Sequence, residues 1–329
     1  MLKLTNISHH PMDRAKFDND SGKPSDFLRR NALDGFEVMQ CGADEMAWYP
    51  PDSVIGVHMR YWPVCIDFFR GDVTALCQAF GTDDVWQRYY GARTRDEFVL
   101  KYREGLRAAE DAGAQYAVFH ASHTSLSEIF TNVFSADSGE VIDEFIALIN
   151  DVLDGFTCDM TLLFENLWYP GITLLDESLA LKMMEEVHHP NKGFMLDIGH
   201  MMITNPALSS YVEAAEYIAS ILRDRPAMLS YIKGIHLNGA LTGKYLQAVM
   251  QGEGLRDIEG SFWERYANAY NHVSRIDAHV PFADASIQTV LELVNPDYLV
   301  FELISEDLPE LERYIAEQQK FCGFIEGID

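Results

Sequence analysis

An α/β fold, a single (β/α)8 TIM barrel with long connections after its third and seventh strands, is what the sequence predicts, on three observations. Eight short apolar runs read as strands. Helical patterns separate most of them. Six of the runs end on a side chain able to bind a metal: Val54-Ile-Gly-Val-His58, Tyr116-Ala-Val-Phe-His120, Thr161-Leu-Leu-Phe-Glu165, Phe194-Met-Leu-Asp197, Ile232-Lys-Gly-Ile-His236 and Tyr298-Leu-Val-Phe-Glu302. Strands alternating with helices imply βαβ units and a parallel sheet. Continuous apolar runs suit strands covered on both faces. The runner-up, an open doubly wound sheet, would place its site at one switch point and not at the ends of six strands.

The remaining two strands are Leu2 to Ile7 and Phe36-Glu-Val-Met39. Between strands, Arg95 to Ala114 repeats apolar residues at Phe98, Val99, Tyr102, Leu106 and Ala109, a period of about 3.6 residues that predicts a helix. Val141 to Leu153 carries an apolar face. Glu177 to Val187 runs into His188-His189-Pro190, a helix end. Tyr211 to Leu222 and Ser286 to Val294 repeat the pattern, and a helix from Leu308 to Phe321 closes it. Two connections exceed what a barrel needs. Tyr61 to Thr94 holds Tyr61, Trp62, Phe68, Phe69, Trp86, Tyr89 and Tyr90; Gly239 to Ile276 holds Lys244, Gly252-Glu-Gly254 and Arg256. Both leave the C-terminal ends of strands, where barrel enzymes build their sites. Each reads as a lid or substrate wall, or else as a helical extension of the core. Such a barrel takes about 250 residues before insertions. No repeat, low-complexity tract or linker divides the chain, so one domain over 1–329 is expected.

Composition narrows the classes of function. With 48% apolar residues a large core is easily filled. No apolar run reaches the roughly 18 residues of a membrane span. Met1-Leu-Lys-Leu-Thr-Asn lacks the apolar stretch of a signal peptide. Cys41, Cys65, Cys77, Cys158 and Cys322 are scattered and never spaced C-x-x-C. Free thiols in a reducing cytoplasm are the simplest reading. The net charge is −26, from 25 basic and 51 acidic residues, and the densest basic run is Arg93-Thr-Arg95. Three divalent ions would return about six positive charges. Nucleic-acid binders carry a basic stripe, so a polyanionic partner is disfavoured, although a metal site can still draw an anion. Oligomeric state is not legible.

Glu165, Asp197, His236 and Glu302 form an oxygen-rich set with one imidazole, suited to Zn, Mn, Fe or Mg. One strand-end polar residue is often a cap or a solvated group; a series on successive strands points to a site. Asp197-Ile-Gly-His200 adds a candidate ligand. Asp277-Ala-His279 adds two more, because i and i+2 share a face in an extended segment; a surface Asp–His hydrogen bond is the alternative. Glu37 ends a strand and reads as a substrate contact or a core-edge carboxylate. His123 reads as a support to the cluster or a substrate contact. Tyr61 and Trp62 suit stacking on a sugar. His9, His10, His188, His189 and His272 are expected in solvent. Ser21-Gly-Lys-Pro24 lacks the spacing of a phosphate loop, and no Ser or Cys nucleophile signature stands out.

Several of these pieces together carry a resemblance. They are Gly56-Val-His58 with Tyr61, Val118-Phe-His120-Ala-Ser-His123, Leu163-Phe-Glu165-Asn166, Met195-Leu-Asp197-Ile-Gly-His200, Gly234-Ile-His236-Leu-Asn238, Asp277-Ala-His279 and Val300-Phe-Glu302. From about Phe36 onward the chain resembles the xylose isomerase-like TIM barrels, which include sugar phosphate isomerases and epimerases and AP endonuclease family 2. Its ligand order is most similar to the endonuclease IV branch. The resemblance implies three divalent ions, commonly zinc, with nine ligands: His58, His120, Glu165, Asp197, His200, His236, Asp277, His279 and Glu302. It implies Glu165 as the bridge, with His58 and His120 on the first ion. Asp197, His236 and Glu302 would hold the second, and His200, Asp277 and His279 the third. It also places a substrate-contacting Glu near Glu37 in sugar-isomerising relatives. Asn238-Gly239 replaces the family's Asn-Asp, and His120-Ala121-Ser122 its His-Pro-Gly. The long loops, without basic DNA-binding segments, turn the expected substrate toward a small phosphorylated or sugar-like molecule.

Two activities follow. One is phosphoester hydrolysis, in which clustered ions lower the pKa of bound water. The other is sugar isomerisation or epimerisation with one ion on Glu165, Asp197, His236 and Glu302. There the catalytic pair Glu165 and Glu302 would serve as general acid and base, and His58, His120, Asp277 and His279 would contact substrate. Lyase chemistry on a polyol-like substrate is also compatible. A barrel that has lost its chemistry ranks last, since no candidate ligand is missing.

Overall fold

The computed structural model describes residues 1–41, 48–50 and 52–325. Its strands are β1 (Leu2–Ser8), β2 (Gly35–Met39), β3 (Val54–His58), β4 (Tyr116–His120), β5 (Thr161–Glu165), β6 (Lys192–Asp197), β7 (Ile232–Leu237) and β8 (Tyr298–Phe301). Each pairs in parallel with the next, and β1 pairs with β8 to close the barrel. This is the (β/α)8 TIM barrel the sequence predicts. The strands differ from the expectation only at their ends. β6 starts two residues earlier, and β8 stops at Phe301 so that Glu302 is the first residue beyond it.

The predicted helices form at Arg95–Asp111, Ser138–Leu153, Glu177–Glu186, Tyr211–Arg223, Ile287–Val294 and Leu308–Phe321. Five start on a side-chain cap from Thr94, Asp137, Asp176, Ser210 or Asp307. Each such cap satisfies an orphan backbone N–H and contributes about 1 kcal/mol. Pro11–Lys16 and Lys23–Arg30 are helical too, the second burying Pro24, Phe27 and Leu28 on one face.

The strand period of two sets the height of every side chain inside the barrel. Leu4, Tyr116, Val118, Leu163, Met195 and Val300 fill the interior. One inward step above four of them stand His120, Glu165, Asp197 and Glu302, at the C-terminal mouth. β4 and β5 are in register so that His120 faces Glu165, and β6 and β7 so that Asp197 faces His236. Gly56 on β3 is needed at the level below. A Cβ there would lie 2.1 Å from the Tyr116 ring, which passes over it to donate its hydroxyl to Glu37 at 2.7 Å.

Each long connection is a helical extension that also lines the cavity over the mouth. The first contains helices Ile66–Phe69, Val73–Phe80 and Asp83–Tyr90, the second Gly243–Met250 and Phe262–Val273. Phe68, Phe69, Trp86, Tyr89 and Tyr90 are buried, so the first connection extends the core. The two connections also pack on one another, with the Phe80 and Phe262 rings 4.3 Å apart. Tyr61 from the first and Tyr266 and Tyr270 from the second wall the cavity over the mouth.

Several expectations are corrected. Trp62 does not face the mouth. Its indole N–H donates to the Tyr89 carbonyl at 2.9 Å and its ring packs on Phe98. Tyr61 takes the wet position, and the larger apolar ring of its neighbour gains more by burial in the core. Among the histidines expected in solvent, His10 and His188 are exposed, whereas His9, His189 and His272 are buried. His189 donates to the Met160 carbonyl and His272 bonds the Tyr245 hydroxyl, both at 2.8 Å. Which loop histidine folds under is a tertiary matter that local sequence does not encode. The cysteines are free thiols, as expected. Among the described residues no helix is long and apolar enough to cross a membrane.

His123 is a fastening and does not line the cavity over the mouth. Its Nδ1 accepts the N–H groups of Cys65 and Ile66, at 3.1 and 3.4 Å, and so caps the first helix of the β3 connection. Accepting requires a neutral ring, and burial pushes the imidazole from 6.5 down to about 4. A depressed histidine contributes stability above its unfolded pKa, lost as pH falls through the folded value. Between pH 7 and pH 4 the stability advantage of wild type over His123→Asn should therefore shrink by about 3 kcal/mol, read from urea unfolding curves. An unchanged gap would mean the ring is not the acid-labile clasp.

Candidate metal centre

The nine predicted ligands meet at the C-terminal mouth. Glu165 is the hub. Its Oε2 lies 2.9 Å from His58 Nε2 and 3.2 Å from His120 Nε2, and its Oε1 lies 3.1 Å from His200 Nδ1 and 3.4 Å from His236 Nδ1. Asp277 Oδ2 lies 3.3 Å from His200 Nε2 and 2.9 Å from His279 Nε2. Glu302 Oε2 lies 3.3 Å from His236 Nδ1. The side chains fall into three clusters whose donor atoms lie within 4.8 Å of one another: His58, His120 and Glu165; Glu165, Asp197, His236 and Glu302; His200, Asp277 and His279. A further grouping of Glu37, His58 and His236 reuses two of them.

The imidazoles are oriented from behind. His58 Nδ1 faces the Met59 carbonyl at 3.1 Å, His200 Nδ1 the Asn166 carbonyl at 2.8 Å and His279 Nδ1 the Glu302 carbonyl at 3.1 Å. A carbonyl only accepts, so each Nδ1 carries the proton and each Nε2 is turned toward a carboxylate. His236 is set the other way round, with Nε2–H donating to Glu37 at about 3 Å and Nδ1 facing Glu165 and Glu302. Ligating histidines are held in this manner when a backbone carbonyl or carboxylate takes the distal N–H. His279 adopts φ 44°, the left-handed region that a β-carbon disfavours. Strain of that kind gathers at functional sites, and here it accompanies the turn that brings His279, with His200, to one oxygen of Asp277.

The carboxylates are positioned as firmly. Asp197 caps the helix Ile198–Ile203 by accepting the His200 N–H at 2.6 Å, and Asn238 donates to its other oxygen at 2.7 Å. Asn166 brackets the Asp197 backbone, accepting its N–H at 2.8 Å and donating to its carbonyl at 3.1 Å. Glu37 is buried one layer down and does not line the cavity. It is a buried carboxylate that supports His236.

Charge in the cluster is shared among protons and carboxylates. Burial alone would strip the histidines of protons. The facing carboxylates reverse it: His200 and His236 are held well above their usual value, and Asp277 and Glu302 bring His279 up to about 10. His120 goes the other way, because burial outweighs Glu165. Burial would raise Glu165, yet His120 and His236 hold it well below the carboxylate range. Glu165 Oε1, His236 Nδ1 and Asp277 Oδ1 are buried without a hydrogen bond to any described residue. Such atoms call for a partner, and hard oxygen and imidazole donors facing one another are what a divalent cation satisfies. The residues fit the group.

Above the cluster lies a cavity of about 580 Å³, the size of a small-ligand site. His58, His120, His200, Asp277, His279 and Glu302 form its floor; Tyr61, Trp168, Tyr169, Tyr266 and Tyr270 form much of its wall. Tyr61 leans on His120, ring centroids 4.6 Å apart, and its hydroxyl meets Ser122 Oγ at 2.9 Å. The Trp168 and Tyr169 loop is stitched to β4's exit by the bridge between Ser122 and Gly171. Gly171 has φ 127°, and a Cβ there would lie 2.1 Å from the Ala121 carbonyl. Sequence reasoning assigned no role to Asn166, Asn238, Trp168, Tyr169, Tyr266 or Tyr270. Adjacency to Glu165 and His236 was the available signal for the first four; nothing local marked the two tyrosines.

A closed parallel barrel with histidines and carboxylates gathered at its C-terminal mouth defines the class: a TIM barrel whose mouth carries candidate metal-binding clusters. The model of one family, described as xylose isomerase-like TIM barrel, matches residues 73–318, and the chain belongs to that family. Sequence comparison with curated proteins finds no match. Among solved structures the chain is similar to endonuclease IV from Thermus thermophilus, with 14% identity, a TM-score of 0.51, and 99% of this chain and 100% of that one covered. It is similar to an L-ribulose 3-epimerase, with 12% identity, TM-score 0.52, and coverage of 97% and 93%. It is likewise similar to a 3-keto-D-glucoside 4-epimerase from E. coli, with 12% identity, TM-score 0.51, and coverage of 98% and 100%. At these identities the likeness is one of fold.

Proposed function

We propose that this chain is a divalent-metal-dependent hydrolase acting on a phosphoester bond of a small or sugar-like substrate, with up to three ions, zinc being the first candidate and Mn, Fe or Mg the others. The observation that carries the reading is the orientation of the imidazoles. Four histidines commit one nitrogen to a fixed acceptor and turn the other toward a shared carboxylate. The nine side chains divide into three clusters, two of which share Glu165, and His200 of the third lies 3.1 Å from it. Divalent ions held there would lower the pKa of water toward neutrality and stabilise charge on attacking and leaving oxygens. Glu165 holds His58 and His120 on one side and faces His200 and His236 on the other. Asn238 and the helix cap fix Asp197. The tyrosines and Trp168 exclude water and orient the substrate over the floor. The acidic chain and the enclosed aromatic wall favour a small molecule over a duplex.

One observation favours a second reading. The cluster of Glu165, Asp197, His236 and Glu302 is a complete four-ligand group on its own. With a single ion, Glu165 and Glu302 would move a proton next to a carbonyl, as in sugar isomerisation or epimerisation. Elemental analysis separates the two, since close to three ions per chain supports hydrolysis and close to one supports proton transfer. His279→Ala should lose one ion and at least about a hundredfold in activity under the first reading. Retention of the full metal content by that variant would sink the three-ion assignment. A screen with phosphosugars, free ketoses and abasic-site DNA identifies the substrate class.

A further inference from the structure

One cation faces the cavity from its rim. Arg60, two residues beyond β3, is the single Lys or Arg among the described residues that line it. Its guanidinium lies over the Trp62 ring, 4.9 Å from the centroid, so burying Trp62 gives the arginine a platform. Stacking of this kind fixes the guanidinium plane and leaves its N–H edge free. Arg60 is exposed and has no ion pair with any described residue, in a chain of 51 acidic and 25 basic residues. It also borders a side cavity of about 110 Å³, with room for a group of several heavy atoms. Gln40, Cys41 and Met59 line both spaces with it; Lys101 and Glu104 face only the smaller one. None of the nine candidate ligands lines the side cavity. The positive charge of Arg60 reaches Tyr266 on the far connection as well as Cys41 and Tyr102.

We infer that the cavity takes a substrate with a ring-shaped body, held among the tyrosines and Trp168, and one oxyanion remote from the reacting bond, paired with Arg60. The inference rests on the proposed function for the placing of the reacting bond over the ligand floor. Arg60, the ligand floor and the rings line one space, and Arg60 is exposed where the ligands are largely buried. A guanidinium presents a planar fork that matches a carboxylate or phosphate-like group. A fork with no ion pair among the described residues, at the rim of an otherwise acidic protein, selects a molecule by where its charge sits. Binding energy drawn from the rim, away from the reaction, is what positions the bond to be broken.

The test uses full-length protein saturated with zinc and, as a control, the same protein treated with chelator. The probes are phenyl β-D-glucoside and the same glucoside carrying a carboxylate or a phosphonate at the para position, titrated by calorimetry. Wild type should bind a charged probe about tenfold to a hundredfold tighter than the neutral one, the range of a charge-assisted hydrogen bond. R60Q should bind the charged and neutral probes alike, R60K should recover part of the preference, and metal content should be the same in all three proteins. Preference for the carboxylate or for the phosphonate identifies which oxyanion the fork fits, and either supports the inference. Equal binding of all three probes by wild type overturns it. So does a preference that survives in R60Q and disappears on chelation, because the ions would then hold the anion; that outcome leaves the proposed function standing. Fewer than one ion per chain would overturn the proposed function alone, since the wild-type and R60Q comparison can be made without zinc.

Discussion

Glu165→Gln should lower turnover by about a thousandfold or more and remove at least one ion per chain. The substitution keeps the side-chain volume and exchanges one carboxylate oxygen for an amide nitrogen. The carboxylate stands within 3.4 Å of His58, His120, His200 and His236, and no other side chain belongs to two of the three ligand clusters. An amide can offer one acceptor, and its N–H2 would be driven against imidazole nitrogens that need a cation or an acceptor. It also deletes the negative charge that opposes repulsion among neighbouring cations. Losses of this size are usual when a group acts as part of a unit, and they do not add with losses at its partners. His58→Ala in the Glu165→Gln background should therefore cost little more than Glu165→Gln alone. Elemental analysis, turnover on the best substrate from the screen and the thermal midpoint together make the check. A variant that keeps wild-type metal and turnover within a few-fold would show that Glu165 is a buried structural acid.

Much of the barrel and of its mouth is legible in the sequence because one physical rule writes both. A parallel strand covered on both faces must be apolar throughout, so a His, Glu or Asp at its end stands out as the first residue free to be polar. That rule marks His58, His120, Glu165, Asp197, His236 and Glu302, and the closed barrel turns a list along the chain into a ring. Asp277 and His279 lie on no strand and are reached through their spacing and the family resemblance. What stays hidden depends on contacts between distant segments. Glu37 looks like the other strand-end acids, yet it ends one inward step lower, where Tyr116 and His236 close over it. Trp62 and Tyr61 are neighbours with similar chemistry, and only the packing of Phe98 and Tyr102 decides which is core. His123 sits three residues from His120, but its partners are backbone N–H groups on another connection. Tyr266 and Tyr270 reach the cavity because the two long connections pack together, which no local pattern announces.

Treatment with a chelator should lower the thermal midpoint by roughly 5–10 °C, and the drop should be larger at pH 8 than at pH 6. Ions present at about a thousand times their dissociation constant stabilise a fold by about 4 kcal/mol, and a chain of this length converts each kcal/mol into roughly 2 °C or a little more. The pH trend follows from the same side chains. Without ions, Asp277 and Glu302 outweigh burial and raise His279 from 6.5 to about 10, and His200 and His236 are raised as well. A raised histidine stabilises the ion-free fold fully below its unfolded value and ceases to do so above its folded value. The ion-free protein is thus weakened as pH rises from about 6.5 toward 10. The ion-bound protein needs those nitrogens deprotonated, so ion affinity strengthens over the same interval. Both trends widen the gap with pH, and ion uptake near neutrality must release protons. Calorimetric titration of zinc in two buffers of different ionisation enthalpy counts those protons. Uptake without proton release, or a gap that narrows as pH rises, would mean that the ions bind away from this cluster. The same gap in Glu165→Gln should be smaller at every pH, because the variant keeps the histidines and loses the hub they surround.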